Sequence, residues 1–69
     1  MTQPLAGKHI LIVEDEPVFR SLLDSWLSSL GAMTSLAEDG IDALEKMISI
    51  TPDLMICDIA MPRMHRLKL

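Results

Sequence analysis

A single cysteine, Cys57, leaves no possibility of an intrachain disulfide, and a reducing, cytoplasmic setting is the simpler expectation. Basic residues are also scarce. Lys8, Arg20, Lys46, Arg63, Arg66 and Lys68 form no helical stripe, and the formal net charge is −4, so nucleic acid is not expected as a partner. The longest aliphatic run is only Ile10 to Val13, and Met1-Thr2-Gln3-Pro4-Leu5 lacks a charged stretch leading into an apolar one. Neither a membrane span nor a signal peptide is therefore expected. A Gly-x-Gly-x-x-Gly turn is missing as well. Where a dinucleotide-binding module would need one, the chain has Glu14-Asp15-Glu16-Pro17, the wrong charge for a pyrophosphate. No repeat, low-complexity tract or linker interrupts the 69 residues, which suffice for one folding unit. At that size a single core seldom supplies more than about 3–5 kcal/mol.

What is present is globular composition, 49% apolar and 23% charged. Ile10-Leu11-Ile12-Val13 is rich in β-branching and predicts a strand buried on both faces of a parallel sheet. Pro17 suits the first turn of a helix. From there Val18, Phe19, Leu22, Leu23, Trp26, Leu27 and Leu30 recur at spacings of three and four, with Arg20, Ser21, Asp24 and Ser28 opposite and Gly31 placed to close the helix. Trp26 is expected to anchor this helix on the sheet. Met33 to Ala37 predicts an edge strand. Asp39 then caps a second helix whose inward face is Ile41, Leu44, Met47 and Ile48, and Thr51-Pro52 ends it. A second buried strand, Leu54-Met55-Ile56-Cys57, stops on Asp58. Its burial makes Cys57 an inert thiol by expectation. The order β-α-β-α-β points to a doubly wound α/β arrangement.

In such sheets ligands bind beyond the carboxyl ends of the strands. Both aliphatic strands end in acids at that edge, so if they are neighbours Glu14, Asp15 and Asp58 converge. Clustered carboxylates raise one another's pKa unless a cation sits among them, and a shallow set of oxygens suits Mg2+. An acid between a strand and a helix is also common for a plainer reason, since it favours the helix N-terminus. The coincidence of two such acidic strand ends, and the residues after Asp58, shift the balance. A phosphatase of the haloacid dehalogenase type would want a second Asp two residues after the nucleophile, and position 60 is Ala.

Three stretches together resemble the receiver domain of two-component response regulators: Ile10 to Pro17, Asp39-Gly40-Ile41-Asp42-Ala43-Leu44, and Pro52 to Met64 with its Asp58-Ile59-Ala60-Met61-Pro62 core. The resemblance implies a flavodoxin-like, CheY-like fold. Residues 1–69 would form the N-terminal half of the domain, with strand order 2-1-3 and a stop before strands four and five. It also implies that Asp58 accepts a phosphoryl group from a histidine kinase or a small phosphodonor. Asp15 and Asp58 would bind Mg2+ directly, with the backbone carbonyl of Ala60 as a third ligand and Glu14 acting through water. The protein would be a phosphoacceptor rather than an enzyme. Met1 to Leu5 and Val18 to Trp26 resemble most the receiver of a regulator that delivers a sigma factor to a protease, which implies a sigma factor as output partner. The family's Ser or Thr after strand four and Lys after strand five fall outside the chain. His65-Arg66 replaces the family's Asp or Asn followed by Gly, which puts the shape of that loop in doubt. Ala60 stands where polar residues are frequent, so a long-lived phosphoryl group is expected in a complete domain. A stop after strand three would leave that strand as an apolar edge, and self-association through it is expected. The competing interpretation is a shortened or pseudo-receiver interaction module that is never phosphorylated.

Overall fold

The computed structural model describes residues 3–57. In chain order they form β1 (His9–Val13), α1 (Pro17–Ser29), β2 (Met33–Ala37), α2 (Gly40–Ile50) and β3 (Leu54–Cys57). All strand pairings are parallel and the sheet order is β2-β1-β3. β1 is therefore the central strand and β2 an edge, as the aliphatic content of the two segments predicts.

Side chains alternate across β1 and divide the core between two layers. Leu11 and Val13 pack with Ala37 and Ala43, backed by Met47, Ile50 and Cys57. Ile10 and Ile12 pack with Leu27, backed by Leu5, Leu23, Ala32, Leu36 and Ile56. Thus α2 covers one face of the sheet and α1 the other, which is the doubly wound arrangement.

Each helix starts on a side-chain cap. The Glu16 carboxylate accepts from the N–H groups of Val18 (3.0 Å) and Phe19 (3.4 Å), with Pro17 in the first turn. Asp39 accepts from the Asp42 N–H at 2.8 Å, while the Asp42 carboxylate reaches back to the Glu38 N–H at 3.1 Å. This is a close variant of the reciprocal capping box. The far ends differ. Gly31 follows α1 with φ +99°, and a Cβ there would meet Gln3 Cβ at 2.9 Å, so both conformation and space call for glycine. Thr51 ends α2 with φ 45°, a left-handed conformation that costs a β-branched residue energy.

Several sequence expectations are corrected. Trp26 does not anchor α1: it is 59% exposed, and Leu27 and Leu23 make the contact. On α2, Ile41, Leu44 and Ile48 face outward, and Ala43, Met47 and Ile50 face the sheet. In both helices the apolar stripe is wider than the surface the sheet offers it, and small Ala43 lets α2 approach closely. Asp24 is not on a purely solvated face, because it accepts hydrogen bonds from Thr34 Oγ1 and Ser28 Oγ. The segment before β1 is more than a polar arm. The Leu5 N–H donates to the Leu30 carbonyl at 3.0 Å, satisfying one end of α1.

Candidate functional site

Parallel strands that start level also finish level. Val13 pairs with Ala37 on one side and with Cys57 on the other, so β1, β2 and β3 end together at one edge. Two of the four predicted site residues are described there, Glu14 and Asp15. The other two, Asp58 and Ala60, lie outside the described residues, as do His65 and Arg66.

Glu14 carries on the line of β1 by one residue. Its N–H donates to the Ala37 carbonyl at 3.0 Å. The residue is only 2% exposed, its Oε2 accepts the Glu16 N–H at 3.1 Å, and its carbonyl accepts Arg20 Nη1 at 2.8 Å. Beside it lies a cavity of about 280 Å3 lined by Val13, Phe19, Leu23, Ile56 and Cys57 as well as Glu14 itself. A carboxylate in such surroundings is costly unless it has strong partners. Asp15, by contrast, is exposed. The turn therefore offers one buried and one open carboxylate in succession.

The β2–α2 connection adds Glu38 and Asp39, which follow β2 as Glu14 and Asp15 follow β1, and the first turn of α2 adds Asp42. Asp39 is buried. Asp42 pairs with Lys46 at 3.1 Å, one helical turn on. The hydrogen bond from Lys46 holds the Asp42 carboxyl below the ordinary carboxylate range, helped by the Glu38 N–H and by the nearby charges of Lys46 and Arg20. Arg20, assigned from the sequence to the polar face of α1, instead donates to the Glu14 carbonyl, and its charge reaches Asp42. Its one signal in sequence is its position on the fourth residue of the helix that follows Glu16.

Glu14 and Asp15 present hard carboxylate oxygens, the donor type Mg2+ prefers. Among the described residues no group of three or more His, Cys, Asp or Glu side chains is arranged to hold a metal ion. The expected third carboxylate is Asp58. Also among the described residues, no helix is long and apolar enough to cross a membrane.

Comparison with known proteins agrees with this geometry. The chain is 78% identical over all 69 residues to the Regulator of RpoS of Escherichia coli (strain K12) and spans 20% of that protein. It is 40% identical over 60 residues, 87% of its length, to Response regulator MprA of Mycobacterium ulcerans, covering 26% of it. It matches Sensor histidine kinase RcsC of Salmonella typhimurium at the same identity and length, covering 6%. The chain thus spans about a fifth of the curated relative it resembles at 78%. Residues 10–69 match the response regulator receiver domain, and with the parallel 2-1-3 sheet and its acidic strand edge the chain belongs to the receiver family of two-component response regulators.

Proposed function

We propose that this chain is the phosphoacceptor portion of a receiver and that Asp58 is the residue phosphorylated. A carboxylate oxygen of Asp58 attacks phosphorus, and the bond to the donor, a phosphohistidine of a kinase or a small phosphodonor, breaks with its electron pair leaving on the donor. The product is an acyl phosphate. Asp15, Asp58 and the Ala60 carbonyl would hold Mg2+, with Glu14 acting through water. The ion would supply charge neutralisation for the loose transition state of phosphoryl transfer. The protein turns over no external substrate in this scheme and serves as a signalling switch.

One observation above all supports the proposal. β1 and β3 are adjacent and end level, Val13 opposite Cys57, one residue before Glu14 and one before Asp58 in sequence. The burial of Glu14 and the exposure of Asp15 fit the roles assigned to them. A sigma factor as output partner, with the protein acting as adaptor for its proteolysis, draws on the likeness to a protein named as a regulator of RpoS. Self-association through β3 also belongs to the proposal, supported by the exposed Leu54 and Met55.

The test uses the chain carried on through the fourth and fifth strands of the family. Incubated with acetyl phosphate and Mg2+, it is expected to gain the mass of one phosphoryl group, lost in Asp58→Asn and on chelation of the metal. Beryllofluoride with Mg2+ should shift amide resonances around Glu14 and Asp15. No phosphoryl gain and no beryllofluoride response would favour the unphosphorylated interaction module instead.

A further inference from the structure

The tripeptide Glu14-Asp15-Glu16 is tied down on both sides of its exposed middle residue. On one side, the Glu14 N–H joins the ladder to β2 and the Glu14 carboxylate accepts the Glu16 N–H. On the other, Glu16 caps α1. Arg20 touches both sides. Its backbone N–H donates to the Glu16 carbonyl at 2.9 Å and its guanidinium donates to the Glu14 carbonyl at 2.8 Å.

Helix stability does not account for an arginine there. A cation in the first turn opposes the helix dipole, a cost of some tenths of a kcal/mol. Nor is Arg20 one half of a salt bridge among the described residues, where the ion pair is Lys46 with Asp42. Its guanidinium is half-buried against a backbone carbonyl, a charge-assisted hydrogen bond of the stronger kind.

We propose that Arg20 is a positioning residue for the acidic turn, its guanidinium clamping the carbonyl of Glu14 so that the Asp15 carboxylate is presented to Mg2+ in one fixed geometry. This rests on the proposed metal-binding function and adds a residue to it. The clamp has a cost built in, since a positive charge beside a divalent-cation site weakens binding by Coulomb repulsion. That makes the sign of the effect diagnostic. If Arg20 contributed only charge, its removal would tighten Mg2+ binding. If it clamps the turn, removal weakens binding in spite of the relieved repulsion.

The experiment compares wild type, Arg20→Met and Arg20→Lys in the chain carried on through the fourth and fifth strands, by calorimetric Mg2+ titration with the Asp15 and Glu16 amide resonances followed in parallel. Arg20→Met is expected to weaken Mg2+ binding roughly tenfold to a hundredfold, as loss of a partner that orients a metal ligand does. Arg20→Lys, which keeps the charge and a donor, is expected to fall between the two. Wild-type binding that Arg20→Met leaves unchanged or tightens would overturn the role of Arg20 alone. Wild type that binds no Mg2+ overturns the functional proposal, and the clamp with it. Should Arg20→Met fail to fold, the wild type still decides: its Arg20 guanidinium N–H signals are expected to shift with the same Mg2+ midpoint as the Asp15 amide, and silence there counts against the clamp.

Discussion

β1 and β3 are built from almost the same material, Ile10-Leu11-Ile12-Val13 and Leu54-Met55-Ile56-Cys57, yet they meet different fates. Every residue of the first run is fully buried, whereas Leu54 is 54% and Met55 42% exposed. Hydrophobicity cannot explain the contrast. Within the described residues β1 has a strand on each side and a helix on each face, while β3 has one strand neighbour, and α1 and α2 pack chiefly against β1 and β2. Burial is a property of the neighbourhood that a run of aliphatic residues acquires, and two equal runs need not acquire equal ones. The acids that follow inherit the difference. Glu14 is buried because the strand it extends is central.

The sharpest way to break this comparison is to truncate one side chain in each run of the 69-residue chain. Leu11→Ala is expected to cost about 2–5 kcal/mol, the usual range for a buried leucine. That rivals the whole stability of about 3–5 kcal/mol available to a domain this small, so the variant should be largely unfolded without denaturant. Leu54→Ala should cost less than about 1 kcal/mol, as exposed positions do. Urea titrations followed by far-UV circular dichroism check both, and equal midpoints would erase the distinction.

A smaller effect tests whether α2 is part of what shelters β1. Asp39→Ala removes the acceptor for the Asp42 N–H and is expected to cost about 1 kcal/mol. Amide exchange should then quicken at Leu11 and Val13, beneath α2, more than at Met55. Uniform acceleration would mean that the helix and the strand open together with everything else.

The smallest effect concerns pH. Because the Lys46 hydrogen bond lowers the folded-state pKa of Asp42 below its unfolded value, its contribution is present above the unfolded pKa and is lost as pH falls through the folded one. Asp42→Asn should accordingly flatten the stability profile on the acid side of the carboxylate range, lowering stability slightly near neutrality and leaving it nearly unchanged at low pH. The acid-induced loosening of β1 amides should shrink with it.

Much of the fold could be read from residue patterns alone. The β-branched run of β1, Pro17 and Gly31 bracketing α1, and Asp39 ahead of α2 are local signals, and local physics decided them. What escaped was whatever depended on how many neighbours an element has. The apolar stripe of α1 includes Trp26, but the sheet beneath is too narrow to reach it. The stripe of α2 was misphased because Ala43, the smallest candidate, gives the closest approach. At the site, Glu14 and Asp15 stood out by following a strand. Arg20 and Asp42 did not, and Glu38 and Asp39, although they follow β2, join the same edge only because β1 and β2 end level, which register reveals.

The tight seat of Gln3 against Gly31 gives the molecule a practical orientation. The described chain starts at the end of α1 farthest from the acidic turn, so a label on that side would stand clear of the turn. The same crowding makes Gly31 a poor place for any other residue: a side chain there would push the turn around Gln3 and Ala6 away from the end of α1.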